Sequence, residues 1–309
     1  MRQVLVVFVL MCAVAAQASS QTAPPDTTVS FHQDLAWSPD GRWIVFSADM
    51  GNGYDLWMAP VSGDGVMQPL TNDGKSNLWA SWSPNGDKLA FTSGRDGATD
   101  IYIMNAQGRD VHRVTQGPGR NQAPSWAPDG SRIAFMSDRT QKWQIYVMHS
   151  DGTDLRQVTQ DTTTHAENPV WSPEGSKILF YGGSGKGNDQ VFSIEPNGRH
   201  LARLTKDVQL SNAGMSKTIK TNNIYPSWSP DGKDILYCSN RGGSNALYTM
   251  KADGSEAKRF SNQLAFFARW SPEGKRIAAI FGRYPHTAIG IMAMDGKEPV
   301  WITPRLNQP

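Results

Sequence analysis

Long apolar stretches are scarce in this sequence: the longest runs only from Val4 to Ala16, too short to span a bilayer as a stable helix. Cysteine is nearly absent, with two in 309 residues, which excludes a disulfide scaffold. An excess of either charge is missing too. Thirty Lys and Arg against 28 Asp and Glu leave +2, so nothing is available to neutralise a run of phosphates and nucleic-acid binding is not expected. No extended stretch carries a 3.6-residue apolar period, which excludes coiled coils and helical repeats. Glycine (29) and proline (19) are plentiful but evenly spread, so neither collagen nor low-complexity disorder fits. What remains is a soluble globular protein.

The first segment reads as an address. Met1-Arg2-Gln3 is a short basic start, residues 4–16 are the apolar run, and Ala16-Gln17-Ala18 places small residues where a signal peptidase reads. This is the layout of a secretory signal peptide, residues 1–18, cleaved after Ala18. The expected mature chain is periplasmic or secreted, without a transmembrane segment, and keeps one cysteine. Cys238 lies in the apolar run Ile235-Leu236-Tyr237-Cys238 and is expected as a buried thiol. Residues 19–30 are polar, with Pro24-Pro25, and are expected as a flexible tail; Thr27-Thr28-Val29 adding a further strand is the alternative.

What is abundant is a repeat. Trp-Ser/Ala-Pro-Asp/Asn/Glu-Gly occurs six times, starting at Trp37, Trp82, Trp126, Trp171, Trp228 and Trp270. The spacing is close to even, apart from a longer interval between Trp171 and Trp228. Each unit continues through an apolar run (Ile133-Ala134-Phe135), a polar loop (Ser137-Asp138-Arg139), a second apolar run (Ile145-Tyr146-Val147-Met148) and a closing Leu-Thr-like pair. From the Trp to that closing pair the register holds to a single position in every unit. Four short runs bounded by turn residues predict four β-strands per unit. The central two are apolar throughout, so both faces of each small sheet must be covered. A covered four-stranded sheet repeated every ~45 residues is a propeller blade. The fold expected is all-β, a six-bladed β-propeller with four antiparallel strands per blade, over residues 31–304. The blades are 31–73, 76–117, 120–161, 165–206, 222–262 and 264–304, with an insertion at 207–221. Pro124, Pro169 and Pro226 fall two positions before their tryptophans, which a proline tolerates only on an edge strand. The first strand is therefore expected innermost, and the ring is expected to close by packing blade 6 on blade 1 without a strand exchanged.

The six Trp-Ser-Pro-Asp-Gly-like turns, the Ser-x-Arg loops, the Ile-Tyr-like third strands and the closing Leu-Thr pairs resemble the propeller repeats of the TolB family of periplasmic proteins. The resemblance covers roughly residues 31–304. The protein that gives the family its name carries an α/β domain before its propeller. Only residues 19–30 separate Ala18 from blade 1, so that domain is expected to have no counterpart here. Related propellers are fused to serine peptidases or act as oligogalacturonate lyases. The resemblance implies a non-catalytic module that binds an envelope protein or peptide at the Ser-x-Arg face; a carbohydrate-acting lyase or hydrolase is the alternative. A monomer is expected.

Candidate contacts on that face are Arg95, Arg139, Arg241 and Arg283, all at one offset from their tryptophans, and Lys206, Lys217 and Lys220 of the insertion. An arginine recurring at one fold position is also what local stacking and pairing would produce. Blades 1 and 4 depart from it, with Met50 and Ser184. The same blades carry His32 and His165, with Glu167 nearby, and these are the acid–base candidates if the protein is an enzyme. Blades 1 and 4 lie on opposite walls and the two histidines differ in parity, so no shared metal site is expected. No Gly-x-Ser-x-Gly elbow, phosphate loop, zinc spacing or calcium loop is present, and no cofactor is expected.

Overall fold

A computed structural model describes residues 32–49, 51–160, 164–184, 188–212, 215–283 and 286–303. The leader, the residue 19–30 tail and Met50 lie outside the described residues, as do the side chains of His32, Lys217 and Arg283.

Each of the six Trp-containing units folds into its own four-stranded antiparallel sheet, with strands in chain order. The first strands are His32–Trp37, Leu78–Trp82, Asn121–Trp126, His165–Trp171, Asn223–Trp228 and Ala265–Trp270. Each pairs with the second strand alone and packs against the first strands of both neighbouring blades, so these six edges line the axis. That location admits Pro124, Pro169 and Pro226, whose missing N–H groups would break a central ladder. Second and third strands such as Arg132–Ser137 and Gln144–His149 are buried almost end to end, because each is sandwiched between two other sheets. The short fourth strands, such as Arg156–Gln157, lie at the outer rim.

The core is six clusters, one per blade interface. Ala90, Ile101 and Ile103 of blade 2 meet Ile133, Phe135 and Tyr146 of blade 3, and the pattern repeats around the ring. At the seam, Ile44, Phe46 and Ala59 of blade 1 pack on Ala278, Ile280 and Ile289 of blade 6. Closure is by packing of complete blades, with no strand exchanged among the described residues.

The Trp-Ser-Pro-Asp-Gly turns link neighbours as well as strands. Gly41, at φ +70, sits against Pro272 and Glu273 of blade 6, and Gly86 against Pro39 of blade 1; glycine both adopts the left-handed conformation and leaves room for that proline. Two features go beyond the sequence expectation. First, the innermost strands carry register shifts, and Trp79, Ala123, Asn168, Tyr225 and Phe267, each three positions before its tryptophan, have φ of 48–55°. These bulged positions line two cavities, Trp79, Ala123, Asn168 and Phe267 one of them and Tyr225 the other. Second, the insertion is not an irregular loop but a separate two-stranded ribbon, Val208–Asn212 with Met215–Ile219. The alternation Val208, Leu210 against Gln209, Ser211 is a strand pattern that its short length hid.

Candidate functional site

The recurring arginines are the starting point. Arg139 Nη2 donates to Asn121 Oδ1 at 2.9 Å and its Nε to Ser137 Oγ at 3.0 Å, while its guanidinium lies over Phe135 and Tyr146 at 5.9 and 4.8 Å. Asn121, fully buried, donates in turn to Asp100 Oδ1 of blade 2 at 2.8 Å. Arg95, Ser93 and Asn77 repeat the arrangement onto Asp55 of blade 1. Asn223 donates to Gln190 of blade 4 at 3.0 Å, with Arg241 lying over Tyr237 and Tyr248. Arg95 and Arg139 thus stand at the end of an Asn–Ser–Arg clamp that ties one blade's inner strand to the blade before it. In blade 5 Asn223 makes the inter-blade bond, but its Oδ1 and Arg241 Nε have no partner, and Arg241 stacks instead. Burial lowers the Arg139 guanidinium from its ordinary value.

In blade 4 the residues at the corresponding positions are Ala166, Gly182 and Ser184, too short to rebuild the clamp. The space they leave is a cavity of about 600 Å³ on the Ser-x-Arg face, between blades 3, 4 and 5. Its wall holds His165, Glu167, Tyr181, Asp189, Trp143 and Tyr225. His165 Nε2 lies 3.2 Å from Asp189 Oδ1 and 3.8 Å from Glu167 Oε1. The Asp189 carboxylate, with Glu167 behind it, raises the imidazole above its ordinary value against the opposing effect of burial. Tyr181 donates to Glu167 Oε2 at 3.0 Å and meets Tyr225 edge-on at 5.3 Å. Burial holds the Tyr181 phenol well above its usual range and Tyr225 at about 12, so both are proton donors, not bases, at neutral pH. The insertion's base adjoins the cavity: Asn222, in its wall, accepts from the Asp189 amide at 2.9 Å, and the neighbouring Thr221 amide donates to Asp207 at 3.2 Å.

His165 and Glu167 are therefore brought together. The start of blade 1's inner strand, His32, lies across the ring from blade 4, so the two histidine-bearing strands are not neighbours. Lys206 and Lys220 are exposed beside the ribbon, with Lys220 Nζ 3.7 Å from Asp207. Asp189, Tyr181, Trp143 and Tyr225 were missed from the sequence; the loss of the clamp residues at Ala166 and Gly182 did not single the site out, because His32 and Ala48 of blade 1 and Ala265 and Phe281 of blade 6 replace them too. Among the described residues no group of three His, Cys, Asp or Glu is placed to hold a metal ion, and no helix is long and apolar enough to cross a membrane.

The family model described as the TolB beta propeller domain matches residues 76–218 and 165–307. The Tol-Pal system protein TolB of Anaeromyxobacter dehalogenans is 32% identical over 89 residues, 29% of this chain and 20% of that protein. This chain thus spans about a fifth of the length of the curated relatives it matches. Among solved structures, a putative TolB from Agrobacterium tumefaciens superposes with a TM-score of 0.65 at 21% identity, covering 77% of this chain and 84% of that one. TolB from Acinetobacter baumannii gives 0.64 at 19%, covering 92% and 69%. An oligogalacturonate lyase in complex with manganese gives 0.64 at 13%, covering 91% and 79%. At these identities the superpositions show the propeller alone, but the family model spans about three quarters of the sequence. The chain belongs to the TolB beta propeller domain family.

Proposed function

We propose that this propeller is an envelope binding module, working as an exported monomer, that takes an extended protein or peptide segment on its Ser-x-Arg face. The observation that carries the reading is the blade-4 cavity, opened where the inter-blade clamp is lost and flanked by the base of an inserted β-ribbon. A concave site with aromatic walls and a few convergent polar groups is the usual form of a recognition site. The ribbon forms a sheet of its own, and its strand edges suit pairing with an extended chain. Lys206, Lys217 and Lys220 supply charge beside it. Arg95, Arg139 and Arg241 contribute at the rim, the first two while also holding the blades that shape it, and Arg283 is the candidate at the same offset in blade 6.

The test is retention of a partner from periplasmic extract on the immobilised full chain. Trp143→Ala, and separately replacement of residues 209–219 by a short linker, are expected to abolish retention while Arg42→Ala, on the opposite face, leaves it unchanged. Equal retention by all three variants overturns the reading. Because His165 stands between two carboxylates, an acid–base site acting on carbohydrate is the second reading. It requires turnover of an oligosaccharide such as oligogalacturonate that disappears with His165→Ala.

A further inference from the structure

The other end of the axis, on the Trp-Ser-Pro-Asp-Gly face, holds a second cavity of about 300 Å³. Pro39, Pro84 and Pro272 of three turns frame its mouth, and Trp37, Trp79 and Phe267 wall it. A row of rings separates it from the blade-4 cavity: Tyr225 touches Phe267 at 5.2 Å on one side and Tyr181 on the other.

Two charges of opposite sign line this cavity without pairing. Asp34, in the inner strand of blade 1, is 1% exposed. Its Oδ2 accepts from Ser47 Oγ at 2.5 Å and from the Trp79 amide at 2.7 Å, while Oδ1 has no partner. Arg269 belongs to the inner strand of blade 6. Its guanidinium lies 4.1 Å from the Phe267 ring centre, and Nη1 donates to the carbonyls of Ala268 at 3.1 Å and Pro226 at 3.5 Å. Among the described residues no carboxylate oxygen comes within 4.0 Å of it. Asp34 acts on it only at longer range.

These two groups differ in what a ligand would meet. The Asp34 carboxylate belongs to the lining but is almost fully buried and hydrogen-bonded through one oxygen. Arg269 remains partly exposed and, although burial lowers it to about 10, it is a cation at neutral pH. The accessible charge is thus a planar, weakly hydrated guanidinium backed by an aromatic face, whose remaining N–H groups suit a carboxylate fork. The rest of the wall is mostly indole, proline and alkyl surface, and the volume is at the lower limit for a small-molecule site. We propose that this cavity binds a small monocarboxylate with an apolar body, its carboxylate on Arg269 and its body against Trp79 and Phe267. The site is on the face opposite the proposed peptide site and stands independently of it.

The test uses benzoate as the probe, titrated into the full chain at neutral pH. Calorimetry and indole fluorescence follow it, since Trp37, Trp79, Trp82 and Trp270 line the cavity. Saturable one-to-one binding is expected, with uncharged benzyl alcohol at least about tenfold weaker because it cannot use the charge. Arg269→Gln is expected to weaken benzoate roughly tenfold and Arg269→Lys less, while Asp34→Asn tightens it by removing the opposing negative field. His165→Ala, in the other cavity, leaves it unchanged. No saturable binding at millimolar benzoate, equal binding of benzyl alcohol, or undiminished binding by folded Arg269→Gln each overturns the proposal. The comparison of the two probes on the natural protein holds even where a variant does not fold.

Discussion

Replacing Asp34 by asparagine separates the cost of a buried charge from everything around it. Burial raises this carboxyl from 3.8 to about 6, against the lowering effect of the Ser47 hydroxyl and the Trp79 amide. That rise corresponds to about 3 kcal/mol between the two protonation states. The folded pKa is above the unfolded one, so the folded protein holds the proton more tightly. Its contribution to stability is greatest below pH 3.8 and is lost as the pH rises through about 6. Asparagine does not titrate. Its amide nitrogen would stand where Oδ1 has no partner, a cost of roughly 1–3 kcal/mol that is the same at every pH. Comparing variant and natural protein at pH 4 and again at pH 7 cancels that constant. The linkage leaves about 2 kcal/mol in the variant's favour at the higher pH. Urea unfolding of both proteins at both pH values measures it. A double difference below about 1 kcal/mol, or of opposite sign, refutes the assignment of Asp34 as a carboxylate that ionises while buried.

Other outcomes follow from the clamp and the cavity. Asn121→Ala leaves Asp100 and Arg139 without their shared partner, and denaturant unfolding is expected to show a loss of about 2 kcal/mol. His165 gains a proton more readily in the folded state, so its attraction to Asp189 stabilises fully below the unfolded value of about 6.5 and is lost as the pH rises past the folded one. The melting-temperature advantage of the natural protein over His165→Gln should therefore shrink between pH 6 and pH 8, and a constant gap would contradict the pairing. Cys238 is 1% exposed and burial pushes its thiol up to about 12, so iodoacetamide should not label the native protein within hours but should label it in urea.

The fold was legible because the information that specifies it is repeated six times. Trp, Pro and Gly at fixed offsets set the turns, and the apolar central strands demanded neighbours on both sides. Even the position of the inner strand could be read from Pro124, Pro169 and Pro226. The candidate site was legible only in its sequence-local part, His165 and Glu167, which stand almost side by side. Asp189 and Tyr181 reach it from elsewhere in blade 4, and Trp143 and Tyr225 from the blades on either side, at separations no short motif records. The bulges were hidden because Trp79, Ala123, Asn168, Tyr225 and Phe267 include aromatics, a methyl and an amide and so have no side-chain chemistry common to all; what they share is a backbone position. The clamp was visible as a recurring arginine, but its partners Asn77 and Asn121 come well before Arg95 and Arg139 in the chain and gain meaning only once the sheets are formed.

Because every sheet is completed by its own contiguous segment, and the seam between Phe46 and Ile280 is an interface of the same kind as the other five, blade order along the chain is set by connectivity and not by closure. Joining Thr303 of blade 6 to His32 of blade 1 through a linker and opening the chain between blades 2 and 3 should yield a circular permutant that assembles the same ring. Its two cavities would form unchanged from residues whose numbering had been rotated around the axis.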